Sequence, residues 1–434
     1  MREGSSRERL RALYAATRAQ TEALAEPLSP EDQQIQSMPD ASPTKWHRAH
    51  TTWFFETFVL GPLDARAGAH PYSKDGAYLW NSYYDAVGAR HVRSERGLLS
   101  RPSAAEVTAY RRATDARILE LLAQDVDPSV HALSLLGIAH EEQHQELILT
   151  AILHAFSRNP LLPAYAPRAA RVAPTRASVR PTSFVEIQGG LYEIGRDAPG
   201  PSELDFAFDN EGPRHKVWLE PFAIADRLVT VGEVKAFILD GGYRTPSLWL
   251  SEGYAFVQSA GLTSPLYATV SGDTYETFSL HGMRAAADDE PAAHLSFYEA
   301  DAIARYLGAR LPTEAEWEVT AARFAGATRP GHFVEAHDYC PRPVDAQEDE
   351  PARARQLHGD VWQWTRSSYD PYPRYAPPQG AIGEYNGKFM AGQIVLRGGS
   401  CLTPARHVRA SYRNFWPPWT RFQMTGLRLA KDAR

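Results

Sequence analysis

The chain has 434 residues, of which 43% are apolar and 23% charged; it can bury two sizeable cores and is not disordered by composition. Lys and Arg total 46 against 52 Asp and Glu, with no long run of one sign, which excludes the usual profile of a nucleic-acid or membrane-surface protein. No stretch reaches the ~20 continuous apolar residues of a membrane span, the first thirty residues are too polar for a secretory signal, and Cys340 and Cys401 make no disulfide framework. The expected setting is the cytoplasm.

Residues 1–157 read as an all-α four-helix bundle. Residues 7–26 carry apolar positions at three- and four-residue spacing. Ser42-Pro43 supplies an N-cap and a first-turn proline for a helix over PTKWHRAHTTWFFETFVL. A long connection over 61–102, rich in Tyr, Gly and Arg, follows; connections of that length inside a domain are often functional. Ser103 and Glu106 form a capping box for the third long helix. Asp127-Pro128 opens the fourth, SVHALSLLGIAHEEQHQELILTAILHAF. Residues 158–183 are rich in Pro, Ala and Arg and read as a linker. Residues 184–434 then change texture to short strands such as FVEIQGGLYEIG, HKVWLEPFAIA, GDVWQWTRSSY and IVLRGGS. Helical pieces at TVGEVKAFILDGG, SFYEADAIARYLG and LPTEAEWEVTAARF interrupt them, which makes this an α+β domain with irregular loops.

The sharpest chemical feature is His140-Glu141-Glu142-Gln143-His144. On a helix, residues at i and i+4 share a face, so both imidazoles can reach one metal. The same letters spell H-E-x-x-H, in which the Glu would be the base of a zinc protease. That reading lacks its third ligand: the extended zincin pattern needs Gly and His where Leu147 and Thr150 stand, and no Glu occurs between Glu146 and Glu186. A third ligand must therefore come from another helix, with His47 and His50 as first candidates and His131 and His154 behind them. Three neutral histidines suit an Fe(II) with open positions, and on ligand type alone Zn(II) with a water.

These residues resemble the iron site of the sulfoxide synthases of ergothioneine biosynthesis. The likeness rests on His140-x-x-x-His144-x-Glu146 and the Trp-His-x-x-His segment 46–50. It extends to Asn81-Ser82-Tyr83-Tyr84, the run from Arg96 to Pro102, and Gly359-Asp360-Val361-Trp362-Gln363-Trp364. Near the end it continues in Glu384-Tyr385-Asn386-Gly387-Lys388-Phe389, Arg397-Gly398-Gly399-Ser400, Tyr412-Arg413-Asn414-Phe415 and Gly426-Leu427-Arg428-Leu429. It runs from about residue 10 to the C-terminus. The resemblance implies a DinB-like bundle followed by a domain of the formylglycine-generating-enzyme (sulfatase-modifying) type, a C-type-lectin-like fold.

The resemblance also implies Fe(II) held by His50, His140 and His144, and a reaction that joins a thiol to C2 of the imidazole of hercynine (trimethylhistidine), with O2 oxidising the sulfur to a sulfoxide. Gln143 is then placed to bond the hercynine imidazole. Tyr83 and Tyr84 become candidates for the proton donor that keeps simple thiol oxidation from competing, with Tyr385 as the alternative. A trimethylammonium donates no hydrogen bond and is best held against aromatic faces, which points to Phe415 and Trp416 beside Asn414. Arg90, Arg93 and Arg96 can bind the carboxylate of the thiol.

One departure bears on the substrate. Relatives that use γ-glutamylcysteine carry an Asp and an Arg where this chain has Trp416 and Thr420, with Arg421 one step late. Cysteine is favoured, and a selenosugar, as in selenoneine-forming relatives, is the alternative donor. Cys401 follows Arg-Gly-Gly-Ser but has no second cysteine nearby in sequence, which argues against the copper chemistry of formylglycine-generating enzymes. Two rival classes stay open: a DinB-like metal-dependent thiol transferase, and a lectin-like binding module with a degenerate bundle.

Overall fold

The computed structural model describes residues 6–67, 71–167, 181–197, 203–324, 331–344 and 353–433. They form two compact units, one from Met1–Asn159, Asp197–Asp209 and Ala376–Lys388, the other from Pro160–Arg196, Asn210–Tyr375 and Phe389–Arg434. Most of the expected linker, residues 168–180, lies outside the described residues.

The first unit is a helical bundle built on α1 (Ser6–Ala25), α2 (Thr44–Phe54), α5 (Ala104–Leu121) and α6 (Pro128–Arg158), with short α3 (Gly61–Ala67) and α4 (Gly76–Trp80) in the connection. Local signals set the boundaries. Ser103 accepts from the Glu106 backbone N–H while Glu106 reaches back, a complete capping box, and Asp127 caps α6 through the Ser129 N–H ahead of Pro128. At α2 the cap differs from expectation: Pro43 is the N-cap, and the Ser42 hydroxyl instead accepts from Arg96 at 2.9 Å. The second helix is not uniformly α either. Residues Phe55–Leu60 wind as a π-helix, a form that concentrates at functional sites.

The bundle core joins Leu10, Tyr14, Phe55, Val59, Ile118 and Ile138. Tyr14 meets Phe55 edge-on, ring centroids 4.9 Å apart. Burying a ring such as Phe55 is worth roughly 2–3 kcal/mol. Among the described residues no helix is long and apolar enough to cross a membrane.

The second unit is α+β. Its sheets are β1–β4–β12 (Phe184–Ile187, Phe222–Leu228, Arg428–Asp432), β2–β3 (Gly190–Ile194, His215–Leu219), β5–β6–β7 (Ala268–Ser271, Thr274–Ser279, Gly282–Ala285) and β10–β9–β8–β11 (Asn414–Trp416, Ile394–Arg397, Trp362–Ser368, Thr425–Gly426). All pairs are antiparallel except β8 with β11. Helices α7 (Val231–Leu239), α8 (Ser251–Ala260), α9 (Phe297–Tyr306) and α10 (Glu314–Arg323) accompany them; capping boxes open α7, α9 and α10.

Buried arginines tie this unit together. Arg397 reaches Glu314 and Glu318 at 3.0 Å each, Arg413 forks onto Glu314 at 2.9 and 3.0 Å, and Arg428 bonds Gln363 and the Ala225 carbonyl. Bidentate guanidinium–carboxylate pairs of this kind fix orientation as well as energy. The arginines of R-G-G-S, Y-R-N-F and G-L-R-L are thus architectural. In R-G-G-S, Gly398 has φ +100° and a Cβ there would sit 2.5 Å from the Leu357 carbonyl oxygen, so only glycine fits.

Candidate metal centre

Helices α2 and α6 face each other with three imidazoles between them. His50, His140 and His144 are buried, and one ligand atom from each lies within 4.8 Å of the others. The Nε2 atoms of His50 and His140 are 3.1 Å apart, and those of His140 and His144 3.0 Å apart. Metal–nitrogen bonds of ~2.1 Å separate two nitrogens by ~3.0 Å when they meet at a right angle and by ~3.4 Å at the tetrahedral angle. The two edges at His140, 3.1 and 3.0 Å, are short enough for its neighbours to share one ion with it. Burial holds His140 down to about 3 and His50 and His144 well below the ordinary imidazole value, with the neighbouring histidines adding to it. The rings are neutral at pH 7, as metal ligation requires.

Two of the rings, His50 and His144, have a partner behind them. His50 Nδ1 lies 2.5 Å from the Trp80 carbonyl, and its ring stacks on Trp46, centroids 4.5 Å apart and 13° between planes. Arg96 covers the Trp46 ring at 3.5 Å from its centroid. His47, the other candidate on α2, faces away from the cluster centre: its Nδ1 lies 2.7 Å from His144 Nδ1. His154 bonds Ser37 and, like His131, is absent from the three-histidine group.

The Glu of H-E-x-x-H points elsewhere. Glu141 is fully buried and bonds Arg18 and Arg111 at 2.7 and 2.9 Å and Thr21 at 2.6 Å. Burial would raise this carboxyl, but the two guanidiniums prevail and hold it down to about 2. It is a permanently charged strut between helices, which removes it as a protease base.

The third feature comes from far along the chain. Residues Ala376–Lys388 belong to the bundle unit and carry Tyr385 to the cluster. Its hydroxyl donates to Gln143 Oε1, its ring meets the His140 ring edge-on at 5.5 Å, and Phe208 stacks on it at 5.4 Å. Glu384 and Lys388 clamp the segment. Glu384 accepts the backbone N–H of Asp85 and Ala86 at 2.9 Å each, and Lys388 donates to the Tyr83 carbonyl and to Asp85. Asn386 bonds Asp209 at 2.6 Å. Tyr83 meets Tyr385 edge-on at 5.7 Å, whereas Tyr84 is fully buried against Trp53, Phe54 and Phe58. Asn81, the head of the N-S-Y-Y motif, holds this loop by bonding both the N–H and the carbonyl of Tyr84.

Residues 13–154 match the DinB superfamily, and residues 169–433 match the sulfatase-modifying factor enzyme 1-like domain. A hercynine oxygenase of Mycobacterium tuberculosis is 34% identical over 412 residues, covering 91% of this chain and 92% of that protein. A hercynine oxygenase of Mycolicibacterium thermoresistibile is 33% identical over 415 residues, covering 91% and 88%. The chain belongs to the hercynine oxygenase family. Family membership makes it an oxidoreductase. A formylglycine-generating enzyme of Streptomyces coelicolor is 28% identical over 311 residues, 62% of this chain and 96% of that protein.

Other residues expected at the site of this hercynine oxygenase family member have the following surroundings. Arg90 pairs with Asp85 at 3.1 Å, both partly exposed, and Arg93 donates to the Asp40 carbonyl. Arg96 is buried with the Ser42 and Ser82 hydroxyls as partners; burial, then Arg93 and Arg90, push it down to about 9. In the second unit, Asn414 Oδ1 accepts the Phe415 N–H, Phe415 stacks on Tyr369 at 3.9 Å, and Trp416 meets Phe422 edge-on. Arg421 is committed to Glu299, two bonds at 2.9 Å. Cys340 and Cys401 form no disulfide. The sequence reading gave no role to Trp46, Phe208, Glu384 or Lys388. Trp46 had a signal, because it lies one helical turn before His50.

Proposed function

We propose that this chain is a non-haem Fe(II), O2-dependent sulfoxide synthase that joins a thiol to C2 of the hercynine imidazole in ergothioneine biosynthesis, working in the cytoplasm. The observation that carries the proposal is the convergence of the buried His50, His140 and His144 side chains on one point. The names of the relatives supply hercynine and oxygenation. Three neutral histidines suit an Fe(II) that keeps open positions. Fe(II) held by His50, His140 and His144 would supply activation of O2 and of the thiol.

The chain's own residues supply the rest. Gln143, one residue before His144, offers its amide to the hercynine imidazole, and Tyr385 fixes the orientation of that amide by donating to its oxygen. Tyr385 is also the phenol nearest the His140 ring, so it leads Tyr83 as proton donor, and Tyr84 serves packing. Arg90 and Arg93 are assigned to the thiol carboxylate, and Asn414, Phe415 and Trp416 to the trimethylammonium end; these roles rest on side-chain chemistry. Cysteine is the favoured donor. Trp416 and Thr420 offer no charge for a γ-glutamyl arm, and Arg421 is neutralised by Glu299.

The test is anaerobic loading with Fe(II), then O2 with hercynine and each of cysteine, γ-glutamylcysteine and a selenosugar, read by mass spectrometry. The hercynyl–cysteine sulfoxide is expected. A selenium-linked product would make the chain a selenoneine synthase. No hercynine consumption with any donor would return it to the DinB-like thiol transferases.

A further inference from the structure

We propose that His47 is a positioning residue for the metal centre. It accepts the Nδ1–H of His144 and thereby fixes the tautomer that turns the His144 Nε2 lone pair toward His50 and His140. The inference rests on the reading that these three histidines hold one ion.

A neutral imidazole carries one N–H, on Nδ1 or on Nε2. For a ring to ligate through Nε2, the proton must be on Nδ1, and an acceptor behind the ring makes that the preferred form. His50 is set this way by a backbone carbonyl. Trp80 O can only accept, so the 2.5 Å contact with His50 Nδ1 places the proton on Nδ1 and leaves Nε2 bare. His144 has no carbonyl at its Nδ1 but has His47 Nδ1 at 2.7 Å. Two ring nitrogens at that distance share one proton. Because His144 Nε2 converges on His140 Nε2 at 3.0 Å, the shared proton belongs to His144, and His47 must be the acceptor, with its own proton on Nε2.

The assignment separates His47 from the ligands it sits among. Its Nδ1 is occupied by His144, so it cannot ligate through that atom while supporting the cluster. It also explains why α2 carries histidines at i and i+3. One ligates from α2, and the other reaches across to align a ligand on α6. His140, by contrast, has an Nδ1 with no partner among the described residues. Two of the three rings are therefore held from behind, and loss of His47 would leave one.

The experiment uses the full-length chain, stripped of metal and titrated anaerobically with Fe(II) and with Co(II), whose visible bands report coordination. Asn puts an acceptor oxygen close to the Nδ1 position, whereas Gln puts it close to Nε2 and Phe offers none. His47→Asn should bind within a few-fold of the wild type. His47→Gln and His47→Phe should bind ~10–100-fold more weakly, with altered Co(II) bands and with melting of the metal-free forms unchanged. Equal affinity in the wild type and His47→Gln, or equal loss in His47→Asn and His47→Gln, overturns the role. If His47→Phe does not fold, the Asn and Gln pair still decides. A wild type that takes up no ion would instead overturn the three-histidine site itself, which is a different result from a tight His47→Gln.

Discussion

Glu141 Oε2 lies 2.7 Å from Arg18 Nη1, and both side chains are buried. Removing one partner of such a pair typically costs about 3–5 kcal/mol where it strands a buried charge; here Arg18 keeps Asp115 and Arg111 keeps Glu22, each at 2.7 Å, so the charges stay paired and the cost is smaller. Glu141→Ala should therefore lose stability in chemical denaturation, but less than that full amount. The pH dependence has a definite sign. Folding depresses this carboxyl from its ordinary value to about 2, so its contribution is complete above the ordinary carboxylate pKa and fades as pH falls from there toward about 2. Stability of the wild type should drop across that acid window, and Glu141→Ala should show a shallower drop.

Glu141 also shows where sequence reading ends. Its place in H-E-x-x-H was legible, but its direction was not, because an α-helix turns i+1 by about 100° away from the i and i+4 face. Which partner waits there depends on α1 and α5. Caps were legible for the opposite reason: Ser103 with Glu106, and Asp127 with Pro128, act within one turn of backbone. Ser42 failed because Arg96, 54 residues away, claims its hydroxyl. Helix periodicity and a search for an imidazole on a facing helix left both His47 and His50 as partners for His140, and only the family resemblance chose His50. The seating of Tyr385 on Gln143 spans 242 residues, and no local pattern encodes it.

Close approach of α2 to α6 depends on Gly137. A Cβ there would meet Phe55 Cε1 at 2.6 Å and Cζ at 2.8 Å, with Phe54 Cε1 at 3.0 Å. These are rigid buried rings, so Gly137→Ala must push the helices apart, at about 1–3 kcal/mol. Phe54 is one turn beyond His50 and touches the His140 ring, centroids 4.9 Å apart. The variant should melt at lower temperature and also bind Fe(II) more weakly. A variant that melts early yet binds normally would show that the helix separation is absorbed elsewhere.

Substituting the three tyrosines one at a time separates their roles. Tyr385→Phe keeps the ring against Phe208 and His140 but removes the donor to Gln143. If Tyr385 delivers the proton, sulfoxide formation should fall by ~10²-fold or more, with oxidised thiol replacing it and O2 consumption retained. Tyr83→Phe should have a smaller effect of the same kind. Tyr84→Phe removes a buried hydroxyl whose neighbour is Tyr83 and keeps the ring packed on Trp53, Phe54 and Phe58, so it should leave the product ratio unchanged. A product shift in Tyr84→Phe alone would reverse the ranking.

The bundle should not work as its helices alone. Residues 1–160 contain all three histidines, but the unit they belong to also includes Asp197–Asp209 and Ala376–Lys388. A fragment cut at 160 loses Leu204 and Phe206 from the edge of the bundle core. It loses Phe208 and Tyr385 from beside His140, and with Glu384 it loses the acceptor for the Asp85 and Ala86 N–H groups that orders the loop carrying Tyr83. The ligands themselves come from α2 and α6, and their supports, Trp80 O and His47, stay in the fragment. Metal uptake should therefore survive with reduced affinity and lower melting temperature, while hercynine-dependent product should be absent. Supplying Fe(II), hercynine, cysteine and O2 to the purified fragment distinguishes the outcomes. Full turnover would mean that Tyr385 and its segment are dispensable, which would shift the chemistry onto the bundle alone and revive the thiol-transferase reading.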